Sequence, residues 1–492
     1  MIKKIFESTL IMGTSTALVM GIDLVRVKIM AVLLGTKGVG TLALLNQFHT
    51  VAISIICLGL GNGITRYIAK YESDGMQETV KRVLGNAFQA ILLVSVAFSL
   101  ITILLSTLLS EWLLGDRSFF LYIIIYAVSL PFTAYPFATN HFLRGLKRIK
   151  ELAKINFYRS FVSLFFIIPL VYFLGLEGAV LSVLVTTTVH LFLNKHYISK
   201  ECSSFRKITI QPFNPDIMRK LLPYGITSLI TGFTYYLSHL LFRMTIVHNL
   251  GMEMNGVYQP IWALTMTYPT LVLSSMSAYA YPRLCELKTN YDISEELNGI
   301  FRVTILLIVP VMFFLVVACR PIIVILYSTE FVKAAEYMPL QIVGDFFKII
   351  VWSIGMFLLP TKRLKAFVWL SIVPYGVMVA LAVLLVKSFQ LHGIVAAFTI
   401  CYFLTFIAYY TYAERQINFK FWRKNLSLLV ISFIALVCII IGSIYLPADI
   451  NIIVSILIAC LWGFLSVTKE EIHQLRIYLS KRFYYFSAQS GN

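Results

Sequence analysis

Runs of twenty or more apolar positions, broken by short polar turns, fill most of this sequence. A helix needs about 20 apolar residues to cross the hydrocarbon core of a bilayer. That criterion predicts fourteen spans, near 8–34, 38–68, 83–109, 118–142, 155–174, 177–194, 221–247, 256–280, 300–326, 337–359, 366–386, 393–412, 425–446 and 450–467. The expected fold class is therefore an all-α polytopic membrane protein.

The polar positions inside these spans are the informative ones. Leu10 to Leu34 is long enough to cross, yet it carries Asp23, Arg26 and Lys28. A charge near the bilayer centre costs about 2.5–3.5 kcal/mol even on lenient insertion scales. Such groups face a wet cavity, pair with each other, or reach the interface. Asp23 and Arg26 are three apart and share a helix face. Lys28 lies roughly 160° round from Arg26 on an ideal helix, so it either lines a different surface or snorkels outward. Span two holds Asn46, Gln47 and His49 and ends in GLGNGITRYIAKY, where Arg66 either lines the inner mouth or anchors the interface. Arg159 lies one turn into span five, near the inner mouth. Span seven holds His239 and Arg243, four apart on one face. His239 is either a packing histidine or a proton-coupling group. Arg302 opens span nine, as a cavity cation or an interface anchor. Asp345 and Lys348 in VGDFFK are three apart, close enough for a local ion pair. Prolines 131, 136, 260, 269, 310 and 374 supply kinks or hinges.

Composition agrees with the pattern. Of 492 residues, 59% are hydrophobic and 13% charged, against about 25% charged in soluble proteins. The net charge of +18 invites a nucleic-acid reading, but its distribution rejects one. With the N-terminus in the cytoplasm, 29 of the 41 lysines and arginines fall in cytoplasmic segments and five in outward loops. That is the positive-inside bias, and it places both termini inside. The seven cysteines are scattered without a CxxC, so neither a disulfide nor a metal is expected. MIKK runs directly into the first span and reads as a retained helix, not a signal peptide.

The chain also repeats. A span opened by GTST (13–16) ends at Gly35 and is followed by Gly38-Val39; one opened by GITS (225–228) ends at Gly251 and is followed by Gly256-Val257. Gly35 to Arg66 is 31 residues and Gly251 to Arg283 is 32. LEGAV (176–180) and LHGIV (391–395) open spans six and twelve. Each half has an even number of spans, so the repeat is parallel. This gives lobes at 1–194 and 221–412, an amphipathic basic linker at 195–220, and two extra helices with a basic tail at 413–492.

No GxxxxGK[ST] is present, which argues against ATP hydrolysis. HExxH is absent too. Outward loops are short, so a membrane glycan polymerase or ligase is disfavoured and no enzyme is expected. The buried charge is mostly cationic, with Asp23 and Asp345 as the acids. Such a lining suits an anionic substrate, and guanidinium groups match phosphate.

GNGITRYIAKYESD, LGTKGVG, ILYSTEF with LQIVGDFFKI, and LHGIVAAF resemble the Wzx-type O-antigen and lipid-linked oligosaccharide flippases. These belong to the multidrug/oligosaccharidyl-lipid/polysaccharide exporter superfamily. The closest likeness is to the enterobacterial-common-antigen lipid carrier translocases, over about residues 1–412. The resemblance implies two pseudo-symmetric six-helix lobes around a central cationic cavity. It implies an undecaprenyl-pyrophosphate-linked oligosaccharide, an O-antigen or related repeat unit of lipopolysaccharide biosynthesis, moved to the outer leaflet of a bacterial inner membrane. Membrane lipids and other polysaccharide-assembly membrane proteins are the implied partners, with no cofactor. Lys28, Arg66, Asp345 and Lys348 match charged positions of the family, and Arg243 and Arg302 match basic ones more loosely. Asp23 and Arg26 rest on the physical argument alone. The extra helices depart from twelve-helix members but match the fourteen of lipid II flippases. The expected cavity cations are thus Arg26, Lys28, Arg66, Arg243, Arg302 and Lys348, with Asp23, His239 and Asp345 as coupling or ion-pair groups. The alternative is an ion-coupled exporter of drugs or small solutes.

Overall fold

The computed structural model describes residues 2–201, 212–468 and 471. The expected linker therefore lies partly, and the basic tail almost wholly, outside the described residues. The described elements are helical, without strands. Eight described helices are long and apolar enough to cross a membrane, so this is a multi-pass membrane protein.

In order, the helices are α1 (Ile2–Ile56), α2 (Gly61–Ser73), α3 (Gln77–Leu104), α4 (Ser106–Leu114), α5 (Phe120–Gly145), α6 (Ile149–Glu201), α7 (Pro215–Glu286), α8 (Asn290–Leu326), α9 (Ala334–Gly355), α10 (Leu364–Ile417), α11 (Arg423–Tyr445) and α12 (Ala448–Ser466). At 1.5 Å per residue a straight α1 would run about 80 Å, far more than a bilayer. It does not run straight. α1, α6, α7 and α10 each break at one non-helical residue: Gly35, Gly175, Gly251 and Gln390. Each break falls where the sequence places a turn between spans. The chain doubles back there. Arg243 of α7 bonds to Asn255 and Gln259, twelve and sixteen residues on, which a straight helix forbids. A Cβ on Gly178 would run into the Leu170 carbonyl, and one on Gly393 into the Leu385 carbonyl.

The breaks also carry the repeat. Gly175 has φ 55° and ψ −129°, and Gln390 has φ 50° and ψ −133°. Gly35 and Gly251 share the left-handed φ with extended ψ, at 62°/−171° and 87°/171°. The sequence aligns Gly38 with Gly256, but the backbone aligns Gly40 instead. A Cβ on Gly40 would strike the Met252 carbonyl, and one on Gly256 the Thr36 carbonyl. The two turns cross with reciprocal contacts, each made possible by a missing side chain.

Two spans differ from expectation at their ends. The helix expected over 38–68 is interrupted at Leu58 and Gly59, both at positive φ. Gly59 packs against the Gly225 backbone, a close approach that accounts for glycine there. The helix expected over 83–109 divides at Leu105 into α3 and α4.

The chain forms two compact units. One comprises 1–260, 323–334 and 371–397; the other comprises 261–322, 335–370 and 398–492. In the first, α2, α3 and α5 share a core around Ile64, Leu84, Ala138 and Phe142. The second arm of α1 packs with α5, α6 and α7 around Leu44, Leu45, Tyr126 and Val180.

In the second unit, Asn298, Arg302 and Asn425 tie α8 to α11 and α12. Asn425 Nδ2 donates to the Asn298 carbonyl at 2.9 Å, and the Trp422 N–H to Asn298 Oδ1 at 2.9 Å. Arg302 binds both carboxylate oxygens of Glu471 and donates to the Ser466 carbonyl at 2.8 Å. Glu471 and Thr468 form a capping box, with Thr468 N–H donating to Glu471 Oε2 at 2.8 Å. The Arg302 hydrogen bonds pull the Glu471 carboxyl down to about 2. A depressed acid stabilises the fold above its unfolded value of 4.5 and loses that contribution as pH falls toward 2. Thermal unfolding in detergent is expected to show wild type losing stability relative to Glu471→Gln between pH 5 and 3. A constant difference across that range would contradict the assignment.

Candidate functional site

The first unit encloses a cavity of about 660 Å³ between α1, α5, α6 and α7. Its walls are largely apolar, with Val27, Met30, Leu42, Phe137, Ile167 and Val183. Into it come Arg26, Asn46, His49, Asn140, Arg159, Thr186, Thr187, His190, Gln259 and Tyr327. Among the described residues, two arginines and no carboxylate line it.

The polar positions on the second arm of α1 are held by α5. Tyr126 Oη donates to Asn46 Oδ1 at 2.9 Å, and Ser129 Oγ meets His49 Nε2 at 3.0 Å. The His49 ring also stands edge-on to Tyr126, 5.3 Å between centroids. The matched spacing of 46 with 49 and 126 with 129 is two helix faces zipped by polar pairs. These pairs hold Asn46 and His49 in the wall.

Three other lining groups are different. Asn140 Oδ1, Arg159 Nε and His190 Nε2 are buried and lack a hydrogen-bond partner among the described residues. An unmet buried donor or acceptor costs about 1–3 kcal/mol. They come from α5 and from both arms of α6, and they converge on one cavity. The charges of Asp23 and Arg26 reach Arg159, and that of Arg159 reaches His190. Arg26 is 3.5 Å from Asp23, both about two-fifths exposed, so its charge is locally offset. Arg159 has no ion pair among the described residues.

The nine residues marked by the sequence do not form one cluster. Arg26 lines the cavity, with Asp23 beside it. Lys28 leaves that face: its Nζ donates to the Val324 carbonyl at 2.8 Å. Val324 is in the last turn of α8, whose carbonyls lack helical partners, so Lys28 acts as a C-terminal cap. Arg66 is exposed on α2. Arg243 is 3% exposed and is held by Asn255, Gln259 and the Tyr258 ring. It stands behind the cavity wall and does not line it. His239 is buried edge-on between Tyr235 and Tyr375, at 4.5 and 6.1 Å. In the second unit, Arg302 is spent on Glu471. Lys348 Nζ donates to Asp345 Oδ1 and the Thr265 carbonyl, each at 3.1 Å, while Tyr268 donates to Asp345 Oδ2 at 3.1 Å. That is a local ion pair, each partner holding one further hydrogen bond.

The sequence does not single out Asn140 and His190, and it treats Arg159 as an inner-mouth residue. The available signal was one polar side chain among several in each of three spans, Asn140 beside Thr139 and His141 and His190 just after Thr186 to Thr188, too common in membrane helices to be decisive.

The polysaccharide biosynthesis protein family model matches residues 5–288. The chain belongs to this family. A curated relative, the Lipid III flippase of Escherichia coli (strain K12), is 22% identical over 429 residues, 85% of this chain and 99% of the relative. The same protein from Shigella flexneri matches equally. Among solved structures, an inward-facing multidrug resistance MATE family transporter of the MOP superfamily aligns with TM-score 0.71 at 14% identity, over 81% of this chain and 94% of that one. The lipid II flippase MurJ, inward closed, aligns with TM-score 0.65 at 14% identity, over 93% and 98%. This family member therefore has the fold that those transporters and flippases share. The likeness to lipid-linked oligosaccharide flippases, carried in the sequence by short motifs, extends over most of the chain.

Proposed function

We propose that this protein is a flippase that moves an undecaprenyl-pyrophosphate-linked oligosaccharide, an O-antigen or related repeat unit, from the cytoplasmic to the outer leaflet of the bacterial inner membrane. Movement is by alternating access, with 1–194 and 221–412 as six-helix lobes and both termini cytoplasmic. The observation that carries the reading is the charge of the cavity: among the described residues, Arg26 and Arg159 line it without a carboxylate. An exporter of organic cations on the same fold would need the opposite sign.

The division of labour follows from solvation. A diphosphate in hydrocarbon is prohibitively costly, and guanidinium donors replace its water. Arg159, without an ion pair among the described residues, is the principal anchor, and Arg26 is the second. Asn140 and His190 offer an acceptor and a ring nitrogen to the proximal sugar. A cavity of about 660 Å³ is within the usual range of ligand sites, about 300–1,000 Å³, so it takes the head group. The polyprenyl chain stays outside, because lipid is already as apolar as any protein wall.

Proteoliposomes containing the wild type are expected to move a polyprenyl-diphosphate oligosaccharide to the opposite leaflet, read by accessibility to an impermeant glycosidase. Vesicles that move a lipophilic cation but not the lipid-linked glycan would overturn the proposal in favour of the exporter reading.

A further inference from the structure

Arg243 has the charge of a substrate ligand and the surroundings of a structural residue. Its Nη1 donates to Asn255 Oδ1 at 3.1 Å and its Nη2 to Gln259 Oε1 at 2.6 Å. Asn255 Nδ2 in turn donates to the Gly40 carbonyl at 2.7 Å, which ties the guanidinium to the crossing of the two turns. A guanidinium carries donors only. It therefore decides which end of the Gln259 amide faces it, and that end is the oxygen.

Gln259 lines the cavity. With its oxygen turned to Arg243, the end it turns toward a ligand is its NH₂, a pair of donors. A sugar hydroxyl donates or accepts as required and would tolerate either amide orientation. A phosphate oxygen only accepts. Locking the amide as a donor discriminates only for an acceptor-only group.

We propose that Gln259 is a specificity-determining donor to the diphosphate oxygens of the substrate, and that Arg243 is the positioning residue that fixes its orientation. This rests on the reading of the cavity as a head-group site. Gln259→Glu separates the roles. Its carboxylate keeps an acceptor on Arg243 and supplies a counter-charge to a buried cation, but presents a second acceptor to the ligand.

The test is binding of undecaprenyl diphosphate to the purified full-length protein in detergent, with undecaprenol as the uncharged control, alongside thermal unfolding. Gln259→Glu is expected to weaken diphosphate binding about tenfold or more, the scale of a lost charged hydrogen bond plus repulsion. Its binding of undecaprenol stays unchanged and its melting temperature is no lower than wild type. A merely structural role for Gln259 would move melting and binding together. If Gln259→Glu melts lower, Gln259→Met, similar in length and without donors, decides: a several-fold loss for the diphosphate alone supports the assignment. Either variant binding diphosphate as wild type does, while still folded, overturns it. A folded wild type that fails to prefer diphosphate over undecaprenol overturns the head-group reading itself, and this assignment with it.

Discussion

Arg159→Gln is expected to lower translocation of a polyprenyl-diphosphate glycan by about 10- to 100-fold while leaving the protein folded in the membrane. Glutamine keeps a pair of donors on a shorter side chain but removes the charge. A hydrogen bond to a charged group is worth about 1.5–3 kcal/mol, which is one to two factors of ten in affinity. Arg159 has the largest expected effect because it forms no ion pair among the described residues, and Asp23, whose charge also reaches it, is already paired with Arg26. Its Nε is buried without a partner, so removing it also relieves a cost, and stability is expected to hold or rise. Arg26→Gln behaves differently. It strands Asp23, 3.5 Å away in wild type, as an unpaired acid beside the cavity and repels the substrate. Asp23→Asn combined with Arg26→Gln is therefore expected to transport better than Arg26→Gln alone. The measurement is initial flipping rate in proteoliposomes, normalised to inserted protein. Wild-type flipping by Arg159→Gln would remove the principal anchor from the mechanism.

Gly256→Ala is expected to destabilise the protein strongly, against the usual trend for a helical glycine. Glycine to alanine inside a helix normally gains about 0.5–1 kcal/mol. At Gly256 the new methyl would run into the Thr36 carbonyl, and at Gly40 into the Met252 carbonyl. Backbone cannot step aside as a side-chain end can, so the cost is at least that of overpacking, about 1–3 kcal/mol. Gly232, also in α7, has no atom within 4 Å of where its Cβ would be. Gly232→Ala is therefore the matched control, expected to melt at or above wild type. Thermal unfolding in detergent compares the two. Equal melting temperatures would mean that the crossing of the turns is not a close-packed contact.

Several features were legible from local pattern because they are set locally. Span length is fixed by bilayer thickness, and the apolar runs announce it. The turns were legible too, since a reversal at Gly35, Gly175 or Gly251 uses a left-handed residue that favours glycine. Gln390 takes the same conformation without being glycine, and there the break between apolar runs and the LHGIV likeness to LEGAV marked the turn. The Asp345 and Lys348 pair was legible because three residues along a helix is a contact by itself.

The choice among the cations was not legible in the same way. Arg26, Lys28, Arg159, Arg243 and Arg302 are the same kind of signal in the sequence: a charge in an apolar run. What separates them is a partner far along the chain. Lys28 is spent on Val324, 296 residues away, and Arg302 on Glu471, 169 away. Arg243 has amide oxygens brought to it by the turn at Gly251. Arg159 meets no acid among the described residues and stays available.

By itself, then, the sequence determined that the chain crosses a membrane many times, where it turns back, and that its buried charge is cationic. These follow from hydrocarbon thickness, backbone sterics and desolvation, which act on each segment alone. Only the tertiary structure decided which cations are engaged by distant groups and which have no ion pair among the described residues. A charge is free or spent according to what folding packs against it, and local pattern carries no record of that neighbour.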